Sequence, residues 1–262
     1  MVATVGELAS IYERDIATTF KPSYARATLS LSKIYIVPSL GKYKLEEVTG
    51  RAPQLMINFM RDKNLPRKTI KNAMTLLSAM VCTAKSWGYV ATKLDWDTLF
   101  VPVEDVEKEV RCFTLDEAHR IIDAVPPKWK VCFALMAYLG LRTEETLALT
   151  WTYLDFGNAV LLVRQSSWYG RIQTVKSKGS RRDLPIPPAL IDLLQEYRKN
   201  WVPNDQGFLF ANKKGSSIGG QCLRRKILHP IRERLGIPRG AFHALRHDHA
   251  TTMFSEGYPQ SE

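Results

Sequence analysis

The chain has 262 residues, 45% of them hydrophobic, enough for one large domain or two ordinary ones built around proper cores. Its 37 Lys and Arg against 26 Asp and Glu leave a formal charge of +11, a surplus that favours a polyanionic partner. The scattered Cys82, Cys112, Cys132 and Cys222 argue against a disulfide framework or zinc ribbon, and the absence of a long apolar run argues for a soluble intracellular protein with no membrane span.

The first hundred residues read as helix throughout. In VGELASIYERDIATTF the apolar positions Val5, Leu8, Ile11, Tyr12 and Ile16 recur at steps of three and four. The stretch PRKTIKNAMTLLSAMVCTAKSWGY puts Ile70, Ala73, Met74, Leu77, Met80, Val81 and Ala84 on one face, with Arg67, Lys68, Lys71 and Lys85 elsewhere on the helix. PSLGK and TGRAP supply turn chemistry between helices, so residues 1–99 form an all-α unit of about four helices. Cys82 and Cys132 lie in apolar helical contexts, where a thiol packs as a small hydrophobe.

Residues 100–112 contain the acidic, Val-rich VPVEDVEKEVR, which reads as an interdomain linker before a second domain over 113–262. Thr114 and Glu117 have the spacing of a capping box and start a helix that ends before Pro126. KWKVCFALMAYLG is a core helix stopped at Gly140, and RTEETLALTW continues as a short helix. AVLLVRQ, RIQTVK and RRDLPIP read as one three-stranded antiparallel sheet with turns at SSWYG and SKGS. PALIDLLQEYRKNW, QCLRRKILHPIRERLG and HALRHDHATTMFSE return to helix. The expected fold is mainly α, a small helical domain followed by an α-rich domain with a small three-stranded sheet.

Positive charge gathers in the second domain. Arg164, Arg171, Lys176, Lys178, Arg181 and Arg182 surround the strands, and Lys213, Lys214, Arg224, Arg225, Lys226, Arg232, Arg234 and Arg239 follow. Such runs are usually solvated faces, but two of them in one domain point to a surface for phosphate backbones. Trp168 and Tyr169 beside the first cluster read as packing or turn residues, with base stacking as the other possibility.

Three segments carry chemistry: GLRTEETLALTW at 140–151, VKSKGSRRDLPIP at 175–187 and HALRH at 243–247. Arg142 follows the end of an apolar helix, Lys176 and Lys178 sit in a hairpin turn, and His243 and Arg246 share a helical face. Two guanidiniums, an ammonium and an imidazole suit a phosphodiester passing through a pentavalent transition state. No carboxylate cluster is available for a two-metal mechanism.

These boxes resemble those of the tyrosine recombinases, the phage-integrase family. The first box, G-x-R-x-x-E-x-x-x-L-x-W, is matched by Gly140, Arg142, Glu145, Leu149 and Trp151. The second is matched by His243, Leu245, Arg246, His247, Ala250 and Thr251, with a lysine turn before an R-x-[IVL]-P run between them. The first hundred residues are similar to the helical, SAM-like core-binding domain that clamps DNA opposite the catalytic domain. The resemblance implies that Arg142 and Arg246 clamp the scissile phosphate. Lys176 would be general acid toward the 5′-oxygen, with Lys178 as the alternative, and His243 would assist proton transfer. Glu145 would brace the arginine-bearing helix. Arg67, Lys68, Lys71, Lys178, Arg181 and Arg182 are the further candidates for DNA contact. The implied reaction is transesterification through a 3′-phosphotyrosyl intermediate, with no metal or other cofactor. The implied partners are double-stranded DNA and, on it, further copies up to a tetramer, with the free chain a monomer. Its place would be the cytoplasm, at the nucleoid.

Two departures accompany the resemblance. Tyr153 stands where the family has an acid two residues after the tryptophan, while Asp155 is kept, which reads as a local cap change. The LGH box and the nucleophilic tyrosine are also expected to fall outside these 262 residues; Tyr258, in SEGYP just past a helix end, occupies a turn position of the family. We therefore expect DNA binding without cleavage by this chain alone, as a truncated recombinase or as a non-catalytic regulator derived from an integrase. A zinc hydrolase using His243, His247 and His249 is the remote alternative, weakened by the missing HExxH glutamate and by Arg246 between the histidines.

Overall fold

The computed structural model describes residues 4–48, 51–90, 99–102, 113–174, 180–238, 240, 242 and 245. They fall into two compact units, one within 1–108 and the other within 109–262.

The first unit is helical. Thr4 caps α1 (Val5–Ile11) in a reciprocal box with Glu7, and the helix runs on through a wide turn at Tyr12–Ile16. α2 (Pro22–Leu31) likewise continues through Ser32–Ile36 into α3 (Val37–Leu40). The PSLGK segment therefore does not turn at its proline: Pro38 lies inside α3, and only Gly41 begins the turn. A proline ring clashes with the carbonyl four residues back, and the wide turn just before it, closed by Val37 N–H on Ser32 O, takes up that distortion. Pro230 repeats the device below. α4 (Arg51–Asp62) and α5 (Arg67–Ser86) complete the unit; the TGRAP segment contributes Arg51–Pro53 to the first turn of α4. The core joins Leu8, Tyr12, Ile36, Leu40, Met56, Met60 and all seven apolar positions anticipated on α5, to which Leu76 is added. Cys82 is exposed rather than packed, because it falls off that apolar face.

In the second unit Thr114 and Glu117 form the expected capping box at the start of α6 (Leu115–Ala124). α7 (Pro127–Tyr138) is buried without a break from Val131 to Met136, as a helix that is apolar all round should be. It stops where Gly140 takes φ +58°, and Arg142 then caps α8 (Thr143–Thr146).

The sheet differs from the expectation. β1 (Leu154–Asp155), β2 (Val160–Val163) and β5 (Arg182–Pro185) form the three-stranded antiparallel sheet, with Leu161 opposite both Leu154 and Leu184. β4 (Arg171–Thr174) pairs instead with β3 (Gln165–Trp168) in a separate hairpin. The polar QSSW run, read as part of a turn, is a strand. Its two-residue turn places Tyr169 at φ +48° and Gly170 at φ +79°, the mirror-image geometry that matches strand twist. The expected Asn-Gly signal is absent there, since a tyrosine occupies the first left-handed position.

α9 (Pro188–Lys199) follows, and then α10 (Gly220–Leu223) continues through a wide turn at Arg224–Leu228 into α11 (His229–Arg234). Here too the wide turn closes, His229 N–H on Arg224 O, immediately before a proline. Phe242 and Leu245 are helical and buried, and the Phe242 ring stands edge-on to Phe133 of α7, centroids 5.4 Å apart. Among the described residues no helix is long and apolar enough to cross a membrane.

Candidate active site

Glu145 is the hub of the site. It lies in the first box, three residues into α8, with only 4% of its side chain exposed. Its Oε2 accepts from the Arg142 backbone N–H at 2.9 Å and its Oε1 from Arg142 Nη1 at 2.8 Å. From the far side, Arg182 of β5 donates through Nη2 to Oε2 at 2.9 Å and through Nη1 to Oε1 at 3.3 Å. Burial by itself raises the Glu145 carboxyl, but the hydrogen bonds from Arg182 and Arg142, with the charge of Arg182, hold it below the ordinary glutamate value. One buried carboxylate thus orients two guanidiniums.

Arg142 remains 44% exposed despite these bonds, so part of its donor fork faces outward. Thr146 Oγ1 donates to the Arg142 carbonyl at 3.1 Å and fixes the same residue from below. Arg182, one of the expected DNA contacts, is 25% exposed and engaged with Glu145 and, at 3.3 Å, with the Ser180 carbonyl. Its neighbour Arg181 is exposed. Arg164 donates to the Arg182 carbonyl at 3.2 Å and is ion-paired with Asp183, which extends the brace across β5.

The β3–β4 hairpin is tied to the α8 segment by groups that the sequence motifs do not contain. Gln165 Nε2 donates to the Ala148 carbonyl at 2.6 Å. Ser217 Oγ lies 2.9 Å from the Leu147 carbonyl and 2.7 Å from the Ser167 hydroxyl, with both serines buried. Nothing local marks Ser217 as special, since its partners are 70 and 50 residues away. Asp155 accepts from the backbone N–H groups of Gly157 and Asn158, both at 3.0 Å, closing the turn between β1 and β2. Tyr153 reaches Gln165 Oε1 at 3.4 Å, so the replaced acid position touches the hairpin strand.

Beside α8 a cleft of about 560 Å³ is lined by Tyr169, Gly219, Gln221, Arg224, Arg225 and His229, among others. Tyr169, at the hairpin tip, is 59% exposed and stands edge-on to Trp168, the last residue of β3. In the first unit Lys68 and Lys71 are exposed on α5, whereas Arg67 is half-buried.

Lys176, Lys178, His243 and Arg246 lie outside the described residues, as do His247, His249 and Tyr258. Arg142 is therefore the one expected catalytic residue whose surroundings the structure describes. Phe242 and Leu245, which flank His243 and Arg246 in the second box, are seated in the same core as α7, the helix that leads to Arg142.

Residues 111–262 match the phage integrase family, and residues 4–61 match the phage integrase N-terminal SAM-like domain. A XerC-like tyrosine recombinase of Caldanaerobacter subterraneus is 29% identical over 236 residues, covering 79% of this chain and 60% of the relative. A putative prophage phiRv2 integrase of Mycobacterium tuberculosis is 28% identical over 59% of this chain and 43% of its own length. The chain thus spans less than two thirds of these two relatives. Among solved structures, the Tn1549 transposon integrase in complex with a circular intermediate DNA superposes with a TM-score of 0.82 at 21% identity, covering 98% of this chain and 88% of that one. The lambda integrase tetramer bound to a Holliday junction gives 0.76 at 17% identity, covering 97% and 74%. At these identities the two structures speak for the fold.

Proposed function

The chain belongs to the phage integrase family, and from that premise we propose that it binds duplex DNA and holds one backbone phosphate for breakage and rejoining by transesterification. Residues 1–99 serve as the core-binding domain and 113–262 carry the catalytic groups. The observation that carries this reading is the Glu145 hub. A guanidinium held by a buried carboxylate is aimed before substrate arrives, so little reorganisation opposes the transfer of charge to the phosphate oxygens.

In this mechanism Arg142 and Arg246 share the non-bridging oxygens of the scissile phosphate. A tyrosine hydroxyl attacks phosphorus, the P–O5′ bond breaks, and Lys176 delivers a proton to the departing 5′-oxygen, with Lys178 as the alternative donor. His243 takes part in proton transfer or orients the phosphate. The bond energy is kept in the 3′-phosphotyrosyl ester, which a second 5′-hydroxyl attacks to rejoin the strand. No step calls for a metal or nucleotide. Arg67, Lys68, Lys71, Lys178 and Arg181 contact phosphates around this centre, and several copies assemble on DNA while the free chain is monomeric.

Tyr258 stands at a turn position of the motif rather than at that of the nucleophile, so it is not the attacking tyrosine. The test is a suicide duplex with a nick that traps covalent protein, read alongside fluorescence anisotropy. Anisotropy binding that Arg142→Ala weakens about tenfold or more, with no adduct at Tyr258, is expected. An adduct mapped to Tyr258 would overturn the mechanistic part, and failure to bind duplex DNA would overturn the whole.

A further inference from the structure

Two adjacent carboxylates in α8 have opposite surroundings. Glu145 is buried and bound by two arginines, whereas Glu144 is exposed and has no hydrogen bond or ion pair among the described residues. Its position is nevertheless well defined. A Cβ built on Gly220 would lie 3.0 Å from Thr143 Cγ2 and 3.4 Å from Glu144 Oε1, so the start of α10 packs directly on this pair. Gly219 and Gln221, on either side of Gly220, line the cleft together with Arg224, Arg225 and His229. The Glu144 carboxylate therefore approaches α10 at Gly220, between two residues that line the cleft, and is two residues from Arg142 along the chain. Arg224 and Arg225 have no ion-pair partner among the described residues.

A carboxylate in this place works against DNA binding in general, since it repels every phosphate that comes within a Debye length of it. We propose that Glu144 is a specificity-determining residue, which keeps the Arg142 phosphate site and the Arg224–Arg225 cleft from merging into one cationic surface. The proposal rests on the DNA-binding reading above. Backbone phosphates then bind at Arg142 or along the cleft but meet a negative charge between the two. Duplex DNA held out of register, with a phosphate at that gap, is penalised. Glu144 lowers affinity for arbitrary DNA and leaves the correctly placed phosphate to Arg142.

The test is anisotropy with the full chain and a duplex of arbitrary sequence over a salt series, comparing wild type with E144Q, E144D and R142A. E144Q should bind about 3- to 10-fold more tightly at low salt, the size expected for removing one nearby like charge near a surface. Its advantage should shrink as salt rises, giving a steeper slope of log affinity against log salt. E144D, which keeps the charge on a shorter stem, should stay near wild type. Unchanged or weaker binding by E144Q overturns the proposal, and so does equal tightening by E144D, which would make shape rather than charge the cause. A lowered melting temperature of E144Q without tighter binding would assign Glu144 to supporting the start of α10, and also overturns it. Wild-type binding that R142A weakens, with no gain from E144Q, removes this inference alone. Absence of wild-type binding removes the DNA reading and this inference with it.

Discussion

Helices α5 and α8 stand at opposite ends of a scale. α5 runs for 20 residues, and its buried positions, Ile70, Ala73, Met74, Leu76, Leu77, Met80, Val81 and Ala84, recur with the period of the helix itself. Its order follows from one stripe meeting one core. α8 has 4 residues, too few to be stable by their own hydrogen bonds. It is held by Arg182, 37 residues away, by Ser217 and by Gln165, which grip its first box from outside. The scaffold of this protein is built by local repetition, and the site by distant polar contacts. Damage to the two should therefore look different.

The sharpest test of the contrast is Leu77→Ala. Leu77 is fully buried in the first core, so the substitution should cost about 2–5 kcal/mol through lost transfer energy and the cavity left behind. Hydrogen exchange should report the loss across α1, α4 and α5, whose side chains share that core, with the amides of α8 unchanged. Faster exchange confined to one turn of α5 would break the comparison on this side.

Glu145→Gln comes next, at about 2–3 kcal/mol, the size of losing hydrogen bonds to charged partners. It stays below the figure for a fully buried pair because both arginines reach solvent. The sign of its pH dependence follows from the depressed carboxyl. Wild type keeps the contribution above the unfolded glutamate value, about 4.3, and loses it as pH falls through the lower folded value. The stability gap between wild type and E145Q, measured by urea unfolding, should be full at neutral pH and narrow below about pH 4. A gap constant with pH would mean that the arginines are not what holds this carboxylate.

Ser217→Ala is the mildest of the three, at about 1 kcal/mol for a buried hydroxyl that bridges two groups. Its informative readout is the hairpin. Exchange of the β3 and β4 amides should rise while α5 stays as it was, and an unchanged hairpin would show that Gln165 alone ties it to α8.

Much of this architecture is legible in the residues. The capping box at Thr114, the apolar run Val131–Met136 and the buried face of α5 all follow from spacings within one helix. The first box marks Arg142 and Glu145, but their hydrogen bond at the cap of α8 is a finding of the structure. Arg182 is a different case. It sits in a cluster of cations, and nothing in RRDLPIP distinguishes a phosphate contact from the partner of a buried glutamate. The β3–β4 hairpin is not legible for a related reason. β4 could pair with any neighbouring strand, and its choice of β3 rests on a left-handed Tyr169 that is a rare occupant of such a turn. PSLGK shows a third limit, since a proline that normally ends a helix is accommodated when a wide turn precedes it.

By itself the sequence determined the helical character of both regions, the Thr114 cap, the stop at Gly140 and the boxes that mark the phage integrase family. These are matters of neighbours three or four positions apart, or of residue types in fixed order, and both are written along the chain. Only the tertiary structure decided that Glu145 serves two arginines, that β2 and β5 pair while β3 and β4 stand apart, and that Glu144 approaches the start of α10 at Gly220. The Glu145–Arg182 contact, the β2–β5 pairing and the Glu144–Gly220 approach join residues 19 to 76 positions apart, and a charge or a strand edge carries no mark of its partner until packing brings the two together.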